Sequence, residues 1–148
     1  MVEFEHVSKI YPDGTRAVDS LDLSVEKGEF VVLIGPSGCG KTTTLKMVNR
    51  LEDVTEGQIR VNGEDIMAQD PVRLRRNIGY VIQETGLLPH LTVAENVATV
   101  PHLLHWPKKK TDKRLSYLFE MAGMDPEVYK HRLPSQLSGG QQQRIGVL

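Results

Sequence analysis

The sequence predicts an α/β protein in which an antiparallel sheet stands beside a parallel core, followed by a mainly helical stretch. Three observations predict it. Two early segments alternate apolar with polar residues, Val2 and Phe4 among acids and Leu21, Leu23 and Val25 separated by Asp22 and Ser24, which is the pattern of strands with one wet face. A third, Phe30-Val31-Val32-Leu33-Ile34, is apolar throughout, as in a strand buried on both faces. It runs directly into Gly35-Pro36-Ser37-Gly38-Cys39-Gly40-Lys41-Thr42 and then into residues at helical spacing.

The elements follow in order. Val2, Phe4 and His6 suggest the inward face of a first strand ending near Ile10, and Tyr11-Pro12-Asp13-Gly14 a turn. After the second strand, Glu26-Lys27-Gly28-Glu29 turns into the apolar strand at residues 30–34. The helix after the glycine loop, residues 43–51, presents Leu45, Val48 and Leu51 as its apolar face. Asn62-Gly63 between two short runs is a hairpin signal, and Asp70-Pro71 starts a short helix carrying Leu74. Ile78-Gly79-Tyr80-Val81-Ile82 reads as a second buried strand, ending at Gln83. Beyond it, Val93, Val97 and Val100 predict a helix stopping at Pro101, and Leu115, Leu118, Phe119 and Ala122 one stopping at Gly123. The basic cluster Lys108, Lys109, Lys110, Lys113 and Arg114 reads as a solvated helix start, and a last helix opens at residues 142–148.

The bulk numbers set limits. A chain of 148 residues suits one ordinary domain, and 39% hydrophobic with 25% charged residues allows a buried core. A net charge of −1 gives no electrostatic case for nucleic acid or an anionic membrane as principal partner. No apolar run approaches the roughly 18 residues that cross a bilayer, and the acidic, alternating N-terminus is unlike a signal peptide. The expectation is a cytosolic protein, without an internal disulfide since there is 1 cysteine, and without a metal centre among its 5 scattered histidines.

The glycine loop has the order that phosphate chemistry requires. Gly35, Gly38 and Gly40 let the backbone turn so that successive N–H groups point into one concave nest, and the helix that follows turns its positive end the same way. Lys41 supplies a mobile positive charge for β- and γ-phosphates, and Thr42 a hydroxyl for Mg²⁺. Gly35, Pro36, Ser37, Gly38, Cys39, Gly40, Lys41, Thr42 and Thr43 are therefore the expected nucleotide-binding residues. Within the same nest, the Cys39 thiol is a candidate for reactivity that bound nucleotide would shield.

Taken with that loop, Leu137-Ser138-Gly139-Gly140-Gln141 resembles the signature sequence of ATP-binding cassette (ABC) ATPases, placed beyond a helical subdomain as in that family. By its residues alone it offers a second anion site, a serine hydroxyl and two glycine N–H groups at a helix start. The resemblance covers the whole chain. It implies a P-loop NTPase fold of the ABC type with an antiparallel β subdomain (residues 1–83 with the loop core), a helical subdomain (84–137) and the start of the signature helix (138–148). It further implies ATP with Mg²⁺, and two subunits paired head to tail so that one signature, Leu137 to Gln141, closes over the other's γ-phosphate. By position, Tyr11 matches the aromatic residue that stacks on adenine and Ala17 falls near the base's other side. Gln83 matches the glutamine that touches Mg²⁺ and the attacking water, which makes Lys41 and Gln83 the catalytic candidates and Thr42 and Gln83 the metal ligands.

Residues 78–83, 88–92 and 100–107 resemble the ATPase subunits of bacterial importers for osmoprotectants such as glycine betaine, carnitine and choline. That resemblance implies transmembrane permease subunits as partners, an extracytoplasmic substrate-binding protein indirectly, and a peripheral place on the inner face of the cell membrane. Two other classes share the phosphate loop. A small-molecule kinase would need an acceptor pocket and an arginine-bearing lid and has no use for a signature. A soluble ABC protein would more usually show duplicated cassettes or a coiled-coil insertion, and the sequence has neither. The chain stops at Leu148, before the family's metal-binding Asp, its water-activating Glu and a later His, so the resemblance implies a core lacking its C-terminal part and a nucleotide grip without hydrolysis by itself. The two apolar strands would then lack neighbours, and the expected result is a fragment, or an exchanged or aggregated assembly.

Overall fold

A computed structural model describes residues 1–82 and 84–148; Gln83 lies outside the described residues. The chain divides into two compact units, Met1–Gly79 and Tyr80–Leu148.

The first unit is built on an antiparallel sheet of β1 (Val2–Ile10), β2 (Arg16–Val25), β3 (Glu56–Val61) and β4 (Glu64–Asp65), in the order β2-β1-β3-β4. The expected turn closes β1 onto β2, with Gly14 N–H donating to Tyr11 O and Tyr11 N–H to Thr15 O, both at 2.9 Å. Asn62-Gly63 joins β3 to β4 as the hairpin signal predicts. The inward alternation of β1 holds only as far as Phe4. His6 sits at φ 49°, the pairing with both neighbours shifts register there, and the buried series resumes at Val7. His6 is thus exposed, contrary to its expected inward place, and its N–H donates to Asp22 Oδ1 at 2.7 Å instead of to the ladder. Gly57 on β3 makes the bulge feasible, since a Cβ there would lie 2.3 Å from His6 O.

α1 (Lys41–Val48) lies next in chain order and buries Thr44 and Met47. This corrects the expected face in part: Val48 packs against the core of this unit as expected, but Leu45 and Leu51 are 54% and 49% exposed. The helix ends before Leu51, and the stripe it turns inward is the polar Thr44 followed one turn later by Met47. Thr44 is tolerated there because its hydroxyl donates to Gly40 O at 3.0 Å. Met47 joins Phe4, Val7, Ile59, Ile66 and Leu74 in the core of this unit. Leu74 comes from α2 (Pro71–Arg76), which Asp70 starts by accepting from Arg73 N–H at 2.8 Å.

Neither all-apolar segment is a buried strand. Residues 30–34 carry no strand, and Phe30 and Ile34 are 89% and 90% exposed. Residues 78–82 carry none either, and Tyr80, Val81 and Ile82 are exposed. The physical reason is the same for both: among the described residues no strand runs alongside to take their backbone groups or cover their side chains.

The second unit contains α3 (Val93–Val97), α4 (Thr99–Leu103), α5 (Lys108–Met121), α6 (Pro126–Tyr129) and α7 (Gly139–Val147). Its core joins Val93, Val97, Leu118, Phe119, Met124, Leu137 and Ile145. The expected stop at Pro101 is displaced. Pro101 lies in the first turn of α4, where its missing N–H removes no bond within that helix, and the helix runs through it to Leu103. α5 ends as predicted: Gly123 N–H donates to Glu120 O and Met124 N–H to Phe119 O, each at 3.0 Å, a Schellman closure that brings Met124 against Phe119. The last helix begins earlier than 142, at Gly139. No helix among the described residues is long and apolar enough to cross a membrane.

α3 starts with a reciprocal capping box. The Glu95 carboxylate accepts from Thr92 N–H and from the Thr92 hydroxyl, each at 2.7 Å. Those two bonds, the hydroxyl's first, hold the Glu95 pKa below its usual 4.5. A depressed carboxylate pKa means that the cap is complete above the usual value and is lost as pH falls through the lowered one. An NMR titration should therefore show the Thr92 amide resonance moving with a midpoint below 4.5, and Glu95→Gln should abolish that step. A midpoint at or above 4.5 would contradict the cap as described.

Candidate functional site

Residues 35–43 form an open loop that feeds α1. The helix start at Gly40 has no side-chain cap, unlike α2, α3 and α7, whose first turns are satisfied by Asp70, Thr92 and Ser138. Cys39 N–H donates to Pro36 O at 3.4 Å, whereas the N–H groups of Gly40, Lys41, Thr42 and Thr43 have no acceptor among the described residues. Four unspent donors at the positive end of a helix are able to receive an anion. Gly40 fixes where that site stands. It adopts φ 90°, and a Cβ on it would lie 2.2 Å from the Ala17 carbonyl oxygen, so the loop is pressed directly onto β2.

Lys41 folds back across the loop. Its Nζ donates to Pro36 O at 2.7 Å and Gly35 O at 2.9 Å, and lies 3.3 Å from Cys39 Sγ. All these partners are exposed, so the ammonium can exchange loop carbonyls for phosphate oxygens without uncovering a buried group. The Thr42 hydroxyl is exposed and makes no hydrogen bond among the described residues, as a hard-cation ligand requires. Tyr11, just beyond β1, reaches the same place, its hydroxyl 3.3 Å from Thr43 Oγ1. The sheet thus gathers Tyr11, Ala17 and the loop into one locality. Lys9 was not foreseen there: its Nζ stands 5.2 Å from the centre of the Tyr11 ring. The signal was available, since residues 9 and 11 are two apart on one extended segment.

In the second unit, Leu137 is buried in the core while Ser138, Gly139 and Gly140 are exposed at the start of α7. Ser138 Oγ accepts from Gln141 N–H at 3.4 Å and Gln141 Oε1 accepts from Ser138 N–H at 2.9 Å. The N–H groups of Gly139 and Gly140 have no acceptor among the described residues, and a Cβ on either would meet nothing within 4 Å. Gln83, the remaining expected site residue, lies outside the described residues.

The family model for ABC transporters matches residues 18–148. The chain belongs to the ABC transporter family. Over all 148 residues it is 57% identical to the carnitine transport ATP-binding protein OpuCA of Listeria monocytogenes serotype 1/2a, of which it covers 37%. It is equally 57% identical to the glycine betaine/carnitine/choline transport ATP-binding protein OpuCA of Bacillus subtilis, covering 39% of it. The chain therefore spans well under half the length of these curated relatives. A solved dimeric ATP-binding cassette in a post-hydrolysis state, bound to ADP and Pi, aligns with a TM-score of 0.87 at 33% identity, over 99% of this chain and 67% of that one. The fold is accordingly the α/β P-loop fold of ABC ATPases, with an antiparallel sheet in the first unit and helices in the second.

Proposed function

We propose that this chain is the nucleotide-gripping part of the ATP-binding subunit of an ABC importer, residues 1–83 forming the β and P-loop portion, 84–137 the helical subdomain and 138–148 the start of the signature helix. The supporting observation is the uncapped start of α1, where four adjacent N–H groups and a loosely held ammonium face one exposed loop. The triphosphate of ATP is received by the loop of residues 35–43 through its open N–H groups, with Lys41 neutralising β- and γ-phosphate charge and Tyr11 against the adenine beside Ala17. Mg²⁺, when bound, screens the triphosphate; the Thr42 hydroxyl and the Gln83 amide would hold it. Lys41 and Gln83 are the residues through which this part of the chain contributes to ATP hydrolysis.

The signature donors at Ser138, Gly139 and Gly140 meet the nucleotide of a second subunit paired head to tail. This pairing drives transmembrane permease subunits at the inner face of the cell membrane, with an extracytoplasmic binding protein delivering solute. Given relatives named for carnitine, glycine betaine and choline transport, the solute is an osmoprotectant of that class.

Ser138→Ala in the full-length protein tests this. It removes the hydroxyl from the contact to the partner's nucleotide but leaves the loop untouched. ATP should bind with unchanged affinity while ATP-dependent pairing, read by light scattering, weakens by roughly tenfold or more, the scale of one charge-assisted hydrogen bond. Unchanged pairing, or phosphoryl transfer to a small acceptor, would overturn the proposal.

A further inference from the structure

The capping box at the start of α7 is held from outside the helix. The Gln141 amide that accepts from Ser138 N–H through Oε1 donates through Nε2 to Tyr129 Oη at 3.1 Å. Tyr129 ends α6, packs against the core of the second unit, and has the Arg132 guanidinium 4.9 Å from its ring centre. Its segment is tied down in turn, because Val93 N–H donates to Arg132 O at 2.8 Å and Ala94 N–H to Lys130 O at 3.0 Å. Two open N–H groups at the base of α3 thus fasten the strip that carries Tyr129.

We propose that Tyr129 is a positioning residue for the signature. Its hydroxyl fixes the plane of the Gln141 amide, and through that amide the direction in which the Ser138 hydroxyl and the N–H groups of Gly139 and Gly140 point. The role depends on those donors contacting a partner's nucleotide, as proposed above. A hold is needed there for a physical reason. Gly139 and Gly140 have no side chains to pack, Ser138 is exposed, and a glutamine amide turns freely about its last torsion unless both ends are engaged. Ser138 N–H can only donate, so it claims the oxygen end; Tyr129 takes the nitrogen end.

Tyr129→Phe in the full-length protein deletes this bond and keeps the packed ring. Loss of one such bond should speed hydrogen exchange at the Ser138 amide roughly fivefold, leave Leu118 and Phe119 exchange unchanged, and weaken ATP-dependent pairing by about the same factor with ATP affinity unaltered. Adding Gln141→Glu should slow Ser138 exchange again, because a carboxylate offers an acceptor whichever way it turns. Unchanged Ser138 exchange in Tyr129→Phe overturns the positioning role. So does unaltered pairing in Tyr129→Phe under conditions where Ser138→Ala impairs pairing. If pairing resists both changes although Ser138 exchange has quickened, it is the assignment of the signature to the partner's nucleotide that fails, and the functional part of Tyr129's role with it.

Discussion

Lys41→Ala is expected to weaken ATP binding by about 100-fold, roughly 2.7 kcal/mol, while leaving thermal stability within experimental scatter. The two halves of that expectation come from one geometry. Nζ spends its donors on Gly35 O, Pro36 O and Cys39 Sγ, all exposed, so removing the ammonium hands the carbonyls to water at little cost to the fold. With triphosphate present the same ammonium would instead face several negative oxygens, and charge-assisted hydrogen bonds of that kind contribute about 1.5–3 kcal/mol. Lys41→Arg should rescue little, because a planar fork cannot reproduce the short contacts a compact ammonium makes inside a tight loop. Calorimetric titration of the full-length variants with ATP and Mg²⁺ decides the matter; an affinity for Lys41→Ala equal to the parent's would remove the phosphate role from Lys41.

How much of this was legible in the sequence differs by element, for physical reasons. The loop was legible because it depends on local backbone freedom: Gly38 and Gly40 stand at φ 82° and 90°, which a glycine-rich run permits, whereas the press of Gly40 onto Ala17 O could not be read from the chain. Caps and turns at Asp70, Asn62-Gly63 and Gly123 were legible for the same reason. The bulge at His6 was not, since nothing in Phe4-Glu5-His6-Val7 reports that Gly57, some fifty residues away, leaves room for His6 O. The buried face of α1 is only partly legible, because apolar character does not by itself decide burial: Val48 packs inward, but so does Thr44 with its hydroxyl satisfied, while Leu45 turns outward. Tyr129 escaped notice because its part depends on a contact to Gln141 across two short turns. The strand character of residues 30–34 and 78–82 is written in their composition, yet a strand exists only with a neighbour.

With no neighbouring strand among the described residues for either apolar segment, the 148-residue chain expressed alone is expected to self-associate. Phe30 and Ile34 are 89% and 90% exposed, with Val32 at 58%, and none of residues 30–34 is in a ladder. Apolar side chains, with N–H and C=O groups that belong to no ladder among the described residues, make this short β-prone run an edge open to pairing with another chain, which soluble proteins normally blunt with charge or proline. Residues 80–82 present a second, weaker edge of the same kind, with Tyr80 at 37%, Val81 at 57% and Ile82 at 45%. Fully covering one such aromatic or aliphatic side chain is worth about 1.5–3 kcal/mol, so a few of them offset the entropy of association at micromolar concentration. Size-exclusion chromatography should therefore show high-mass species, and Phe30→Lys with Ile34→Lys should shift them toward monomer without altering the sheet of β1 to β4, which those residues do not join. A cooperatively unfolding monomer of the unsubstituted chain would show that residues 30–34 find cover within the chain itself.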